Sequence, residues 1–242
     1  MQNAALAALG LTDWTYQRLP VPPELFDETV RALPASGFAG ANVTIPHKEA
    51  ALALAGDATA EARAIGAANT LTFGPDGAIA ADNTDGEAIR QVLPEGGRAL
   101  VLGAGGSARA AVWALQQAGA EVTIWNRTPE RAVALGDELG AWPWTADQPT
   151  DTVVNCTAVG LHEADDPFAN LPITPELLER ATLVVDLAYG AAETGLVRAA
   201  RAMGIETVDG LEILVRQGAL SLARWTGREP SLDVMRAAAT RG

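Results

Sequence analysis

Ala99-Leu100-Val101-Leu102-Gly103-Ala104-Gly105-Gly106-Ser107-Ala108 is the stretch that decides the fold class. Its first four residues read as a buried strand, and Ser107–Ala118 has the period of a helix. The turn between them fits G-x-G-x-x-A. In that pattern Gly103 permits the tight turn, Gly105 lets the backbone approach a pyrophosphate, and Ala108 lets helix and strand pack closely. The N–H groups at the helix start then face phosphate oxygens. The same residues would also serve a tight βα turn in a sheet that binds nothing, but the strand–turn–helix context favours the phosphate reading.

Downstream of this turn, Val122–Trp125 reads as a strand, Thr128–Leu139 as a helix, Thr152–Asn155 and Leu183–Leu187 as strands, Thr194–Met203 as a helix and Ile205–Val208 as a last strand. Short apolar runs alternating with helical segments are the mark of βα units around a parallel sheet. Two helices follow, near Leu211–Trp225 and Ser231–Thr240. Upstream, Asn3 is placed to cap a helix running to Leu9, and Trp14–Leu19 reads as a strand. Pro22 and Pro23 open a helix of about ten residues. Ala41–Ile45 reads as a strand, with Pro46 starting the next helix. Asn69–Phe73 and Ala78–Ala81 flank Gly74-Pro75-Asp76-Gly77, a hairpin turn. The organisation changes near Asp85.

The 242 residues are 48% hydrophobic and 19% charged, an ordinary globular balance. A net charge of −13 disfavours nucleic acid and anionic membrane as partners, while local basic groups can still hold a small anion. Cys156 is the single cysteine, so no internal disulfide forms and a reducing, cytoplasmic setting is expected. Met1–Leu11 has no basic segment or cleavage pattern of a signal peptide, and no apolar run has the length of a membrane span. Nothing in the sequence calls for a metal. Lys48 is the sole lysine beside 16 arginines. Arginine can replace a surface lysine at little cost, but not one that must release a proton.

The end of the second strand of the βα series bears on the cofactor. A site for NAD carries Asp or Glu there for the ribose 2′-hydroxyl. This chain has Asn126-Arg127-Thr128, with Arg131 one helical turn on. Two guanidinium groups, an amide and a hydroxyl suit a 2′-phosphate through charge-assisted hydrogen bonds. The plain alternative is that Thr128 caps the helix and the arginines are solvated.

Hydride transfer to a ketone needs a proton donor for the developing alkoxide, worth roughly 10²–10⁴-fold. Candidates lie ahead of the glycine turn, in Gly40–Lys48 and Asn83-Thr84-Asp85-Gly86. Lys48 would sit in the first turn of a helix, Asn42 and Thr44 on one face of the preceding strand, and Asp85 at the start of the helix leading to the glycine-rich domain. Against this, Asp85 could be a helix N-cap only, and Lys48 a solvated charge. His47 is read as structural, His162 as a surface residue in a polar loop, and Cys156 as a small core residue.

With these residues in view, the chain resembles the shikimate dehydrogenase family from its first residues to its end. The matching segments are Asn42–Lys48, Gly66–Leu71, Asn83–Gly86, Gly103–Ala108, Asn126–Thr128, Asn155-Cys156-Thr157 and Gln217-Gly218-Ala219, in the family's order. The resemblance implies an α/β fold: a Rossmann-type NADP-binding domain at 85–210 and a smaller α/β/α substrate domain formed from 1–84 and 211–242. It implies reversible, NADPH-dependent reduction of 3-dehydroshikimate to shikimate, with Lys48 and Asp85 as the catalytic pair. Asn42, Thr44, Asn69, Asp85 and Gln217 would contact ring hydroxyls, and Tyr189 would lie near nicotinamide and substrate. Gly103, Ala104, Gly105, Gly106, Ser107, Ala108, Asn126, Arg127, Thr128, Arg131, Asn155, Thr157 and Gly210 would hold the cofactor. The expected partner is a small-molecule substrate, with neither nucleic acid nor membrane, in a monomer or homodimer. Quinate or aminoshikimate as substrate, or a non-catalytic NADP-binding remnant, are the competing readings.

The family normally opens with a strand and a Ser-x-Ser-x-Pro segment whose serines bind the substrate carboxylate. Met1 falls just after where that segment would end, so roughly 20 residues, a strand with its loop, lack a counterpart here. The family also commonly has a proline before Thr194, where this chain has Glu193.

Overall fold

The computed structural model describes residues 1–146, 148–161, 166–190 and 192–241. The chain divides into two compact units, Met1–Ala88 with Leu214–Gly242, and Ile89–Ile213. In the first unit the elements run α1 (Gln2–Ala8), a 3-10 turn (Pro23–Leu25), α2 (Phe26–Ala32), a second 3-10 turn (Pro34–Ser36), β1 (Gly40–Asn42), α3 (Lys48–Leu54), β2 (Asp57–Ala58), α4 (Ala60–Ile65), β3 (Thr70–Phe73), β4 (Ile79–Asp82) and α5 (Thr84–Arg90). The second unit continues with β5 (Arg98–Leu102), α6 (Gly106–Gln117), β6 (Glu121–Trp125), α7 (Pro129–Leu139), β7 (Trp142–Pro143), β8 (Thr152–Asn155), α8 (Pro167–Asn170), α9 (Pro175–Leu178), β9 (Leu183–Asp186), α10 (Gly195–Ala202) and β10 (Glu206–Val208). Then come α11 (Gly210–Thr226) and α12 (Leu232–Ala239); the unit boundaries fall inside α5 and α11.

In the second unit the sheet order is β10-β9-β8-β5-β6-β7, with every pairing parallel. This is the doubly wound order, with its switch point between β5 and β8. Leu100–Leu102, Val153–Val154 and Val184–Val185 are completely buried, as unbroken apolar runs must be when helices cover both faces. The α/β class and the strand positions read from the sequence agree with this sheet, with ends moved by one or two residues.

The first unit holds a four-stranded sheet of order β1-β3-β4-β2, mostly antiparallel. The β3–β4 turn forms as its residues dictate: Asp76 Oδ1 accepts from Ala78 N–H at 3.0 Å, and Gly77 takes the left-handed conformation with φ 81°. Register aligns Asn42 with Thr70 and Thr70 with Asp82. The polar ends of three strands therefore share one edge of the sheet. Phe26, Val30, Leu54, Leu71 and Ile79 build one core cluster of this unit, and Leu6, Val215, Leu222 and Met235 another. Burying Leu6 or Leu222 is worth about 1.5–3 kcal/mol each.

Several expectations give way to the structure. Trp14–Leu19 is not a strand: the amide of Asn3 bonds both Tyr16 N–H (2.7 Å) and Tyr16 C=O (2.9 Å), doing by side chain what a neighbouring strand would do. For the same reason Asn3 does not cap α1, whose cap is Met1. The strand at Ala41–Ile45 stops at Asn42, and α3 starts at Lys48 rather than Pro46. Thr44–His47 forms a turn closed by His47 N–H on Thr44 C=O, and the residue before a proline disfavours helix. Cys156 is half-buried rather than a core residue, because it stands on the first position past β8. His162 lies outside the described residues. Elements α4, α8, α9, β2 and β7 are too short to leave a period in the sequence.

Candidate active site

The first unit gathers six of the residues singled out in the sequence. Lys48 opens α3, where a cation faces the unfavourable positive end of the helix. Asp85, in the first turn of α5, offsets this: Lys48 Nζ donates to Asp85 Oδ2 at 2.7 Å, and the two side chains retain 10% and 11% of their surface. Asp85 is not the helix cap. That work falls to Asn83, whose Oδ1 accepts from Gly86 N–H at 3.1 Å. The carboxylate of Asp85 is thereby left to face the ammonium, and Lys48 is buried rather than a solvated charge.

A network of neutral polar groups connects to Thr84, the residue before Asp85. Asn69 is buried, its Oδ1 accepting from Thr84 N–H (2.8 Å) and its Nδ2 donating to Thr84 Oγ1 (3.0 Å) and Gln217 Oε1 (3.3 Å). Asn42 donates through Nδ2 to Ser221 Oγ (2.8 Å) and accepts from the hydroxyl of Tyr16 at Oδ1 (3.1 Å). Ser221 Oγ lies 2.8 Å from Thr70 Oγ1 and 3.1 Å from Thr84 Oγ1. Thr44 is exposed and Gln217 half-buried. Thr84 lies within the Asn83–Gly86 stretch that the sequence marks, whereas Tyr16, Thr70 and Ser221 are not among the candidate site residues. Ser221 has a signal, since it follows Gln217 by one helical turn; Tyr16 has none, because only the fold brings it to Asn42. His47 is structural, as expected: its ring stacks on Phe26 (centroids 4.4 Å apart) and its Nε2 lies 2.9 Å from Val21 C=O.

The second unit carries the glycine turn between β5 and α6. Gly103 has φ 113°, and a Cβ there would meet Cys156 C=O at 3.1 Å, so both conformation and space require glycine. Gly105 differs. It is exposed, and a Cβ on it would meet nothing within 4 Å, so no intramolecular contact demands glycine there. The open space beside Gly105 is room that a phosphate would need at the first turn of α6, and Ala108 is buried beneath that turn. Ala104, Gly106 and Ser107 are half-buried around the turn.

At the end of β6, Arg127, Thr128 and Arg131 are exposed, and no carboxylate among the described residues pairs with either arginine. Thr128 occupies the N-cap position of α7 without a side-chain cap bond, so the capping explanation for it does not hold; Asn126 Nδ2 instead ties the turn through Thr128 C=O at 2.9 Å. No acidic residue stands where NAD would need one. The donor set and the open Gly105 thus fit NADP.

Across the switch point, Asn155 ends β8 fully buried, with Oδ1 accepting from Thr157 N–H (3.0 Å) and Thr157 Oγ1 (2.7 Å). Tyr189, just past β9, is 49% exposed. Gly210 starts α11 against the chain after β9, where a Cβ would lie 2.6 Å from Ala188 C=O.

Comparison with known proteins bears on both units. The shikimate dehydrogenase substrate binding domain matches residues 1–71, the shikimate/quinate 5-dehydrogenase domain residues 88–157, and the shikimate 5′-dehydrogenase C-terminal domain residues 210–240. The shikimate dehydrogenase (NADP(+)) of Paracoccus denitrificans is 46% identical over 235 residues, covering 90% of this chain and 82% of its own. The chain belongs to the shikimate dehydrogenase family. Among solved structures, shikimate 5-dehydrogenase of Thermus thermophilus in complex with NADP(H) and shikimate is 39% identical, with TM-score 0.88 over 99% of this chain and 92% of that one. The ligand-free 5-ketofructose reductase of Gluconobacter sp. strain CHM43 is also similar, at 30% identity and TM-score 0.85, covering 99% of this chain and 91% of that one. No helix among the described residues is long and apolar enough to cross a membrane.

Proposed function

We propose that this member of the family is an NADP-dependent shikimate dehydrogenase, interconverting shikimate and 3-dehydroshikimate. The observation that carries the reading is the buried 2.7 Å contact between the chain's only lysine and Asp85, joined through the neighbouring Thr84 to neutral amides and hydroxyls. A charged cluster would suit a phosphate; a single ion pair together with Asn42, Asn69, Thr44 and Gln217 suits a polyhydroxylated ring, because amides and hydroxyls both donate and accept.

The Lys48 ammonium delivers a proton to the carbonyl oxygen as it gains negative charge, and Asp85 holds Lys48 in place and balances its charge. In the oxidative direction the pair takes the hydroxyl proton back. Asn69, held by Thr84, and Asn42, held by Ser221, orient ring hydroxyls with little freedom left to lose. Bound NADPH supplies the hydride. Gly103–Ala108 would hold its pyrophosphate, Asn126, Arg127, Thr128 and Arg131 its 2′-phosphate, and Thr157, Tyr189 and Gly210 would line its nicotinamide half, with Asn155 buried behind Thr157. The functional division then assigns substrate to 1–84 and 211–242, and cofactor to 85–210.

A second reading follows from the similarity to a 5-ketofructose reductase: a different polyhydroxylated ketone could be the substrate. Steady-state rates with NADP⁺ and shikimate, quinate or 5-ketofructose's alcohol product decide between them. The proposal expects the highest kcat/KM with shikimate. A higher value with another polyol overturns the substrate assignment; no turnover with any of them overturns the enzymatic one.

A further inference from the structure

Asp186 is a fully buried carboxylate at the end of β9 that no role above employs. Its Oδ1 accepts from Asn155 Nδ2 at 2.8 Å and from Ala188 N–H at 3.0 Å, and its Oδ2 from Thr194 Oγ1 at 2.6 Å. Asn155 Nδ2 and Ala188 N–H can only donate, so Oδ1 accepts from both, while Oδ2 shares a hydrogen bond with the Thr194 hydroxyl. Burial pushes this carboxyl up from the ordinary range, while the bonds from Thr194, Ala188 and Asn155 pull the other way. A polar side chain buried this completely is held by its hydrogen bonds, and here those bonds join two separate loops.

The partners lead in two directions. Asn155 spends its second amide proton on Val159 C=O (3.0 Å) and its Oδ1 on Thr157, whose Oγ1 in turn accepts from Val159 N–H (3.1 Å). No hydrogen-bonding capacity of Asn155 is left over for a ligand; its task is to shape the loop that carries Thr157. On the other side, Thr194 caps α10 through Val197 N–H (3.3 Å) while donating to Asp186, and Ala188 precedes Tyr189. In the doubly wound order the adenine half lies beyond β6, so the nicotinamide half reaches over β8 and β9.

We propose that Asp186 is a positioning residue for the nicotinamide end of the cofactor site: its carboxylate ties the loop after β8, through Asn155, to the chain after β9, through Ala188 and Thr194, and so fixes Thr157 and Tyr189 relative to each other. The inference rests on the NADP reading of this unit. It assigns Asp186 no contact with the reacting atoms.

The test compares Asp186→Ala, Asp186→Asn, Thr194→Val and Thr194→Ser with wild type. It uses NADP⁺ and adenosine 2′,5′-bisphosphate, which carries the adenine half alone. Misplacing the nicotinamide-side loops lowers kcat and NADP⁺ affinity in Asp186→Ala by roughly ten- to hundred-fold each, with adenosine 2′,5′-bisphosphate affinity and KM for shikimate within about two-fold of wild type. Asp186→Asn keeps Oδ1 and falls between; Thr194→Val reproduces part of the loss, and Thr194→Ser, which retains the hydroxyl, restores wild-type behaviour. If Asp186→Asn and Thr194→Val both keep wild-type kcat and NADP⁺ affinity, the inference is wrong, even where Asp186→Ala fails to fold. Parallel loss of both ligands in the folded variants also overturns it, since that marks general support of the unit. A wild-type chain that binds neither ligand overturns the NADP reading and this inference with it.

Discussion

Replacing Lys48 separates two effects that its pairing with Asp85 combines. Lys48→Met keeps a stem of similar length and removes the charge, stranding the carboxylate. With side chains only 10% and 11% exposed, water can replace little of the lost partner. Breaking a buried pair from one side costs about 3–5 kcal/mol. At roughly 2–4 °C per kcal/mol for a chain of this size, the thermal midpoint falls by about 6–20 °C. Lys48→Met with Asp85→Asn removes both charges and recovers most of that loss, because an amide is far cheaper to bury than a lone carboxylate, while activity stays abolished. Lys48→Arg keeps a cation but has no proton to release at useful pH, so kcat drops ~10²-fold or more with NADP⁺ affinity unchanged. Circular dichroism melts, steady-state NADPH formation and NADP⁺ titration read these quantities. A Lys48→Arg protein that keeps more than about a tenth of wild-type kcat rules out proton transfer by Lys48, and a double variant that melts as low as Lys48→Met rules out a stranded carboxylate as the source of the loss.

Arg127→Ala should weaken NADP⁺ by about ten- to hundred-fold, the worth of a charge-assisted contact to phosphate, and leave NAD⁺ nearly unchanged; equal losses in titrations of both cofactors would remove Arg127 from the 2′-phosphate site. Gly105→Ala meets no protein atom within 4 Å, so its melting point should hold while NADP⁺ affinity falls; a lower melting point with intact affinity contradicts that use of the open space. Asp151 is held below the ordinary carboxylate range by its side-chain bonds from Arg98 (2.8 and 3.0 Å). Its stabilising contribution is therefore present above the ordinary carboxylate value and lost as pH falls through the depressed one. Asp151→Asn should melt lower than wild type at neutral pH, with the gap closing in acid; a gap independent of pH would show that the ion pair is not its source.

What the sequence disclosed follows from where physics is local. The parallel sheet was legible because β5, β8 and β9 are buried on both faces and read as solid apolar runs, and the glycine turn because Gly103 has a conformation few other residues adopt. Lys48 and Asp85 could be named as candidates, yet their contact spans 37 positions and depends on Asn83 taking the cap. Tyr16, Ser221 and Asp186 stayed hidden for a related reason. A tyrosine, a helical serine and an acid at a strand end are ordinary until the fold brings Asn42 to the first two and Asn155 to the third. The misread strand at Trp14–Leu19 shows the converse: an extended, β-prone segment makes a strand only when a backbone stands beside it, and here the side chain of Asn3 does.

Hydride transfer from NADPH to 3-dehydroshikimate, with Lys48 as proton donor, is the activity proposed for this chain. The most direct measurement follows the NADPH absorbance band after mixing wild-type protein with 3-dehydroshikimate, beside Lys48→Arg protein and beside NADH in place of NADPH. Rapid loss of the band is expected with wild type and NADPH, far slower loss with NADH, and almost none with the variant. A band that persists with wild type, or that decays as fast with Lys48→Arg, contradicts that proposal.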